Sequence, residues 1–203
     1  MLRLCSKSLL AIALVVTMFS NAHADTLYSE AVNGELSDSG LSPTEITVAV
    51  GSNIIRGTTG GSTAPNTRDY FSIVVPSDLL LVSLIELAGT QAGNVGFLGL
   101  QSGPQVTLLT NTTTAAGLLG WIHYGPTATD INILPTMGIP ANGSSGFAPP
   151  LGPGSYTFWL QDSSPGTFQY GFDLVLKVPE PSAAALMFAG LFALWTVLRR
   201  RPD

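Results

Sequence analysis

Two neighbouring stretches of the chain have apolar side chains at every second residue. The longer one runs from Phe168 to Leu176, and Tyr156, Phe158 and Leu160 repeat the pattern before it. A spacing of two places side chains on one side of a β-strand, so both stretches are predicted to be half-buried strands. Residues 162–166 between them read Asp-Ser-Ser-Pro-Gly, which favours a turn. We therefore expect the two strands to form a hairpin.

Six further short segments have strand composition between turn residues. They are Glu45–Val50, Asn53–Gly57, Asp69–Val75, Leu79–Leu87, Gly96–Leu100 and Trp121–Tyr124. Gly51-Ser52 makes a tight connection between the first two. Eight short strands with Gly- and Pro-rich connections are typical of an all-β, antiparallel β-sandwich, which we expect to be jelly-roll-like. Two long irregular stretches, residues 103–119 and 135–153, are either binding surfaces or mobile loops.

The first 24 residues have the three parts of an export signal. Arg3 and Lys7 are followed by an apolar run from Leu9 to Phe19, and Ala22-His23-Ala24 has the small-x-small pattern of a cleavage site. We expect a signal helix, export by the Sec translocon and cleavage before Asp25. The only cysteine, Cys5, would leave with this segment, so the exported chain would have neither disulfides nor thiolate metal sites.

The last 26 residues, 178–203, form a second distinct segment. Val178-Pro179-Glu180-Pro181 ends the preceding strand, because prolines lack the backbone donor that a sheet requires. Residues 183–198 then contain no charge, and at ~1.5 Å per residue a helix of this length reaches ~24 Å. That is short of a ~30 Å hydrocarbon core but sufficient if the bilayer thins locally. Arg199-Arg200-Arg201 would stay cytoplasmic as a stop-transfer cluster, so the domain would face the periplasm.

This order of Pro-Glu-Pro, short apolar span and terminal arginine cluster resembles the PEP-CTERM sorting signal. The resemblance implies an exported protein processed near Pro179-Glu180-Pro181 by an exosortase, a membrane-embedded transpeptidase of Gram-negative bacteria that make exopolysaccharide. The inner membrane would hold the precursor, and the product would go to the cell surface or the extracellular matrix. Three domains follow: a signal peptide (1–24), an extracytoplasmic domain (25–177) and a sorting tail (178–203).

A second resemblance concerns the middle domain. A run starts at Gly34-Glu35-Leu36-Ser37, passes through Gly51-Ser52-Asn53 and Gly57-Thr58, and reaches Asp69-Tyr70-Phe71, which leads into a strand that ends at Pro76. This run is similar to a pre-peptidase C-terminal-like β-sandwich, a domain that often accompanies PEP-CTERM tails. The resemblance implies an accessory domain without catalytic activity.

The charge of the middle domain limits its partners. Residues 25–177 contain eleven acidic and three basic side chains, so the net charge is 3 − 11 = −8. Such a domain would repel nucleic-acid phosphates and anionic lipid headgroups, and we expect it to bind neither.

The residues that could carry catalysis are few. His123 is the only histidine after the predicted cleavage site, it lies in an apparent strand, and no Gly-x-Ser-x-Gly motif is present. Paired carboxylates could serve a glycoside hydrolase, for which Glu35, Asp38 and Glu86 are candidates. Glu35 and Asp38 lie among turn residues, whereas Glu86 lies in an apolar strand that would raise its pKa. We expect no enzymatic activity.

Metal and cofactor sites are equally sparse. Asn66 and Asp69, with nearby backbone carbonyls, could supply oxygen ligands to Ca²⁺, but turn capping by Asp69 explains the same pattern. We expect no cofactor.

The sequence therefore predicts an exported, non-enzymatic cell-surface or matrix protein associated with exopolysaccharide and biofilm. An alternative is a carbohydrate-binding or adhesive module, permanently anchored in the inner membrane, that uses Trp121, Trp159 and the long loops as a sugar platform. An exposed aromatic row would favour this alternative, and burial of both tryptophans would count against it. A glycan hydrolase is a third alternative.

Overall fold

The computed structural model describes residues 26–60, 68–94, 96–108, 113–126 and 130–180, with positions 187, 188, 190–192, 195 and 199 near the C-terminus. Its strands and helices follow in the order β1 (Thr26–Ser29), α1 (Glu30–Asn33), β2 (Thr44–Ile46), β3 (Ile54–Thr59), β4 (Arg68–Val75), β5 (Leu80–Glu86), β6 (Gly96–Ser102), β7 (Gly120–Tyr124), β8 (Ile131–Asn132), α2 (Leu134–Met137), β9 (Gly154–Gln161) and β10 (Phe168–Lys177).

The strands form two five-stranded sheets. Sheet I has the order β1-β3-β10-β5-β8, and sheet II has the order β2-β4-β9-β6-β7. Alternate residues of both sheets form one buried apolar core, which includes Ile55 and Leu174 from sheet I and Phe71 and Phe158 from sheet II. The chain is thus an all-β sandwich, as the period-two pattern predicts.

Aromatic residues connect the two sheets across the core. The Tyr124 ring of sheet II lies edge-on to Phe172 of sheet I, with 5.4 Å between centroids. At the same end of the sandwich, the Tyr124 hydroxyl lies 3.0 Å from Oγ1 of Thr59 in β3. These contacts give a buried polar end to an otherwise apolar interior.

The expected hairpin between the last two strands is wrong. β9 pairs with β4 and β6 in sheet II, whereas β10 pairs with β3 and β5 in sheet I. The turn residues between them carry the chain from one sheet to the other. Both Asp162 oxygens are used in this crossing, since they accept hydrogen bonds from the backbone N–H groups of Ser164 and Gly93.

The sandwich also departs from the expectation of purely antiparallel pairing. β1 lies parallel to β3, and β2 lies parallel to β4, each at the edge of a sheet. β2 ends at Ile46 rather than Val50, because the chain then turns through Ala49 and Gly51 into β3.

The terminal helices of the sequence prediction are not established. The signal segment lies outside the described residues. The described positions from Met187 to Arg199 are helical, but most of the predicted span 183–198 is outside the description. Within the described part of the chain, no helix combines the length and apolarity needed to cross a membrane.

Candidate functional site

An aromatic row crosses the outer face of sheet II. Tyr70 of β4, Trp159 of β9, Gly99 of β6 and Trp121 of β7 occupy one register position across four adjacent strands. Because Gly99 has no side chain, the Phe97 ring occupies the gap between the tryptophans. Its centroid lies 4.9 Å from Trp159 and 5.9 Å from Trp121. The row is therefore continuous from one tryptophan to the other.

A cavity of about 310 Å³ opens on this row. We call it the outer-face pocket, and its lining residues are Phe97, Leu108, Thr113, Thr114, Ala115, Leu118, Trp121, His123, Asn142, Trp159 and Gln161. Its residues come from β6, β7, β9 and the two long stretches that the sequence leaves open between binding surface and mobile loop.

Hydrogen bonds join these two stretches to each other. The backbone N–H of Ala115 donates to the carbonyl oxygen of Asn142 over 2.7 Å, and the Asn142 side chain donates to the carbonyl oxygen of Thr113 over 3.1 Å. Ser145 also donates its backbone N–H to Leu118 over 3.1 Å. The described parts of both stretches therefore form one wall of the pocket.

Trp121 is held in place by a hydrogen bond from its indole N–H and by the stacking of its ring. Its Nε1 donates to the carbonyl oxygen of Ala141 over 3.0 Å, and its ring stacks on Phe97 at an interplanar angle of 24°. The ring is only partly buried. A fixed, partly exposed aromatic face can bind a flat apolar surface at little cost in side-chain entropy.

Trp159 is more deeply buried than Trp121, and its indole N–H is a donor that no described residue accepts. It is only 5% exposed, and it stacks on Tyr70 with 5.8 Å between centroids. Its indole N–H has no hydrogen-bond partner among the described residues. A buried donor without a partner costs about 1–3 kcal/mol, so native proteins rarely keep one without a reason.

Gln161, two residues further along β9, presents an unused acceptor. Its Oε1 is buried and has no partner within the described part of the chain. Gln161 and Trp159 lie on the same face of the strand and both line the outer-face pocket. A concave site with aromatic walls and a few unpaired polar groups is typical of small-molecule binding.

The two predicted sugar contacts thus share one pocket, but neither expected outcome holds fully. Trp121 is partly exposed and Trp159 is buried, so the row is neither a fully exposed platform nor closed off. Phe97 and Gln161 were not among the predicted sugar contacts. The position of Gln161, two residues after Trp159, was a signal that could have identified it.

His123 lies at the rim of the same pocket. It is exposed on β7, its Nδ1 lies 3.3 Å from the carbonyl oxygen of Gly96, and its ring meets Trp121 edge-on at 5.2 Å. Its contacts are those of a strand histidine, as the sequence suggested. No described carboxylate or hydroxyl forms a hydrogen bond with its ring, so a triad is not assembled here.

The Glu86 side chain is buried rather than exposed to solvent. It is 0% exposed, its Oε1 accepts the backbone N–H of Gly125 over 3.0 Å, and its Oε2 has no partner among the described residues. Burial raises its pKa to about 7, and the hydrogen bond from Gly125 opposes that rise. Glu86 is therefore more deeply buried than the sequence predicted.

A second cavity, of about 470 Å³, lies beside β3 and β10. Glu30 and Glu35 both line it. The Glu30 carboxylate accepts backbone N–H groups from Leu36 at 3.1 Å and Thr58 at 2.7 Å, so both of its oxygens hold the N-terminal segment against β3. Burial raises its pKa.

The carboxylates proposed for hydrolysis do not meet in one cavity. Glu35 is exposed beside the second cavity, Asp38 is exposed and does not line it, and Glu86 is enclosed. Glu30, which lines the second cavity together with Glu35, accepts hydrogen bonds from backbone N–H groups. Glu30 and Glu86 thus accept hydrogen bonds from the backbone, and the positions of Glu35 and Asp38 give hydrolysis no support.

Asp69 is also turned inwards. It is 2% exposed, and its Oδ2 accepts a 2.8 Å hydrogen bond from the Tyr170 hydroxyl. Burial and the nearby charge of Glu30 raise its pKa to about 8, so the group is mostly protonated at neutral pH. A protonated carboxyl is a poor calcium ligand.

The proposed partner of Asp69 in a calcium site, Asn66, lies outside the described residues. Among those that are described, no group of three or more potential metal ligands occurs.

The sorting residues are described in part. Val178, Pro179 and Glu180 are exposed and follow β10 without regular structure. The Arg199 guanidinium lies 4.9 Å from the centroid of Trp195. Pro181, Arg200 and Arg201, and the predicted cleavage residues Ala22 and Ala24, lie outside the described residues.

The chain matches no protein-family model and no curated protein. The resemblances to PEP-CTERM proteins and to pre-peptidase C-terminal-like domains therefore remain predictions from the residues that carry them.

Proposed function

We propose that the chain is an exported, non-enzymatic surface protein whose β-sandwich binds saccharides in the outer-face pocket. One observation carries this proposal. The indole N–H of Trp159 and the side-chain Oε1 of Gln161, a donor and an acceptor, have no partner among the described residues and lie beside the aromatic faces of Phe97 and Trp121.

Saccharides have the matching chemistry. A pyranose ring has apolar C–H faces that can lie on an aromatic ring, and its hydroxyls both donate and accept hydrogen bonds. One hydroxyl could accept from Trp159 and another could donate to Gln161. The pocket volume of about 310 Å³ lies at the lower end of the range for small-molecule sites, which favours a short saccharide unit.

We also infer that the sandwich is a jelly roll. Strands β3-β10-β5-β8 face strands β4-β9-β6-β7, and consecutive strands lie in alternate sheets except for the β6–β7 pair. Jelly rolls include lectin domains, which is consistent with the proposal. A fold does not define a ligand, so the pocket rather than the fold supports saccharide binding.

Export and sorting form the second part of the proposal. The signal segment 1–24 would direct the chain to the Sec translocon, and the tail 178–203 would hold it in the inner membrane until an exosortase cleaves near Pro179-Glu180-Pro181. The exposed position of Glu180 after β10 would leave this site accessible. The released domain would then join exopolysaccharide in the matrix or biofilm. If the tail is not cleaved, the same domain would be a permanently anchored binding module.

The binding proposal is tested by calorimetric titration with a panel of neutral and acidic oligosaccharides. We expect Trp121→Ala to weaken binding about tenfold or more, as for other central aromatic contacts. Ile139→Ala is the control, because Ile139 is 62% exposed and does not line the pocket. The proposal is contradicted if no panel member binds, or if Trp121→Ala binds as the wild type does.

The sorting proposal is tested by the intact mass of the protein recovered from its own cells. We expect the wild type to lack residues 1–24 and everything beyond the Pro-Glu-Pro region. Glu180→Ala should retain the tail and stay in the inner membrane. If both proteins keep residues 183–203, the tail is a permanent anchor and the exosortase proposal fails.

A further inference from the structure

Arg68 is a cation on the outer face of sheet II without an evident structural role. Its Nε is buried and has no hydrogen-bond partner among the described residues, and no described carboxylate forms an ion pair with it. Leaving a charged donor without a partner is unfavourable, more so than for a neutral group. An arginine in this state is suited to a ligand that brings an anion.

The position of Arg68 relates it to the outer-face pocket. In the register of sheet II, Arg68 of β4 lies opposite Gln161 of β9, which lies opposite Phe97 of β6. Adjacent strands are ~4.8 Å apart, so Arg68 is one strand away from a residue that lines the pocket. Arg68 shares the outward face of β4 with Tyr70, two residues along.

The electrostatics of Tyr70 support this placement. Burial raises the pKa of Tyr70 to about 12, the Arg68 charge opposes that rise, and the charge of Asp38 adds to it. The guanidinium is therefore close enough to act on the phenol at the end of the aromatic row. Asp38 is the described acid that shares this neighbourhood, and it is exposed.

Three of the four buried polar side-chain atoms without a described partner lie on this one face. They are Nε of Arg68, Nε1 of Trp159 and Oε1 of Gln161. Together they offer one cationic donor, one neutral donor and one acceptor beside an aromatic wall. This set is complementary to a ligand with a ring, hydroxyl groups and a negative charge.

We propose that the outer-face pocket prefers acidic saccharides, whose carboxylate binds Arg68 while the sugar ring lies against the aromatic faces of Phe97 and Trp121. This inference rests on the proposed saccharide binding and adds the substrate class. Guanidinium and carboxylate can form two parallel hydrogen bonds, which gives both strength and orientation.

The preference for an acidic ligand would be confined to the outer-face pocket, because the net negative charge of the domain repels anions. Residues 25–177 carry a net charge of −8, and only Arg56, Arg68 and Lys177 are basic. Arg56 lies in β3 of sheet I and borders the second cavity, so it does not contribute to this pocket. Arg56 therefore provides a matched control for the removal of positive charge.

The test compares a glucuronate-containing oligosaccharide with its carboxyl-reduced form, which has the same rings without the charge. Calorimetric titration of the full chain should give the acidic form an affinity about tenfold or more above the reduced form, the range for a charge-assisted hydrogen bond. Arg68→Gln should lose this preference and still bind the reduced form. Arg56→Gln should keep the preference.

Arg68→Lys separates charge from geometry. It keeps the charge but not the planar pair of donors, so the preference should fall between those of the wild type and Arg68→Gln. This variant also serves if Arg68→Gln does not fold, which thermal unfolding of each protein establishes. Equal affinity of the wild type for both forms would overturn the assignment of acidic saccharides and leave saccharide binding intact. Failure of both forms to bind would overturn the assignment of acidic saccharides, and saccharide binding itself would be overturned if no member of the oligosaccharide panel bound.

Discussion

Tyr170 and Asp69 form a hydrogen bond across the interior of the sandwich, with the phenol of sheet I donating to the carboxyl of sheet II over 2.8 Å. Asp69 is almost completely buried, and its pKa is raised to about 8, mainly by burial and then by Glu30. The pair therefore connects the stability of the fold to pH.

The first prediction follows from Asp69. Between pH 3.8 and about 8 the folded state keeps a proton that the unfolded chain has lost, so stability should fall as pH rises through this window. Urea unfolding at pH 5, 7 and 9 should give a decreasing free energy of unfolding. Glu86, with its pKa raised to about 7, adds a decrease of the same sign.

Asp69→Asn should reduce this pH dependence, because an amide can accept from Tyr170 at every pH without ionising. Asp78→Asn is the control, since Asp78 is exposed. Stability that rises from pH 5 to pH 9 in the wild type, or an unchanged slope in Asp69→Asn, would contradict this account.

The second prediction concerns the close packing of Gly57 in β3. A Cβ at this position would collide with the Tyr170 hydroxyl and the Glu30 carboxyl carbon. Gly57→Ala should therefore lower the free energy of unfolding by about 1–3 kcal/mol, the usual cost of overpacking. Gly152→Ala is the matched control, because nothing lies within 4 Å of its Cβ position. Equal stability of the two variants in urea would refute the packing argument.

The third prediction concerns Asn53, which holds the turn between β2 and β3. Its side chain donates to the carbonyl oxygens of Ala49, Gly51 and Leu174, and its Oδ1 accepts the N–H of Ala49. Asn53→Ala would remove all of these hydrogen bonds, including the buried one to Leu174, and should cost about 2 kcal/mol.

Asn33→Ala removes a similar hydrogen bond at an exposed site, where water can replace it, and should cost much less. The comparison is made by thermal unfolding. A loss in Asn53→Ala no larger than that in Asn33→Ala would show that the turn is not held by this side chain.

The fourth prediction separates stability from binding at Trp159. Trp159→Phe removes the unpaired N–H, which relieves about 1–3 kcal/mol and offsets the lost ring contacts. Its free energy of unfolding should stay within about 1 kcal/mol of the wild type. Its saccharide affinity should nevertheless fall, by about fivefold or more, since a hydrogen bond to the ligand is lost. Unchanged affinity in calorimetric titration would show that this N–H does not contact the ligand.

The strands were predictable because their signal is local. The alternation from Phe168 to Leu176 identifies β10, and the run from Asp69 to Val75 identifies β4 to within one residue. The pairing was not predictable in the same way. β10 pairs with β3, more than one hundred residues earlier, and alternation does not specify a partner. The short β1 and β8 have too few residues to show a period.

The candidate site was predictable only in part, for the same reason. Trp121 and Trp159 were identified as possible sugar contacts because aromatic residues in strands are visible in the sequence. That Phe97 would lie between the two tryptophans, and that Arg68 would lie opposite Gln161, depends on the register of four strands, β4, β9, β6 and β7. The burial of Trp159 depends on Tyr70 and Val106, which come from distant parts of the chain.

Saccharide binding at the outer-face pocket is tested most directly by NMR of the three tryptophan indoles in the ¹⁵N-labelled full chain. On addition of a saccharide, we predict that the Trp159 indole N–H signal shifts downfield as it gains a hydrogen bond. The Trp121 signal should move less, because its N–H is already bonded to Ala141. Trp195, in the C-terminal segment, should not move and serves as an internal reference. An unchanged Trp159 signal at saturating saccharide would contradict the account.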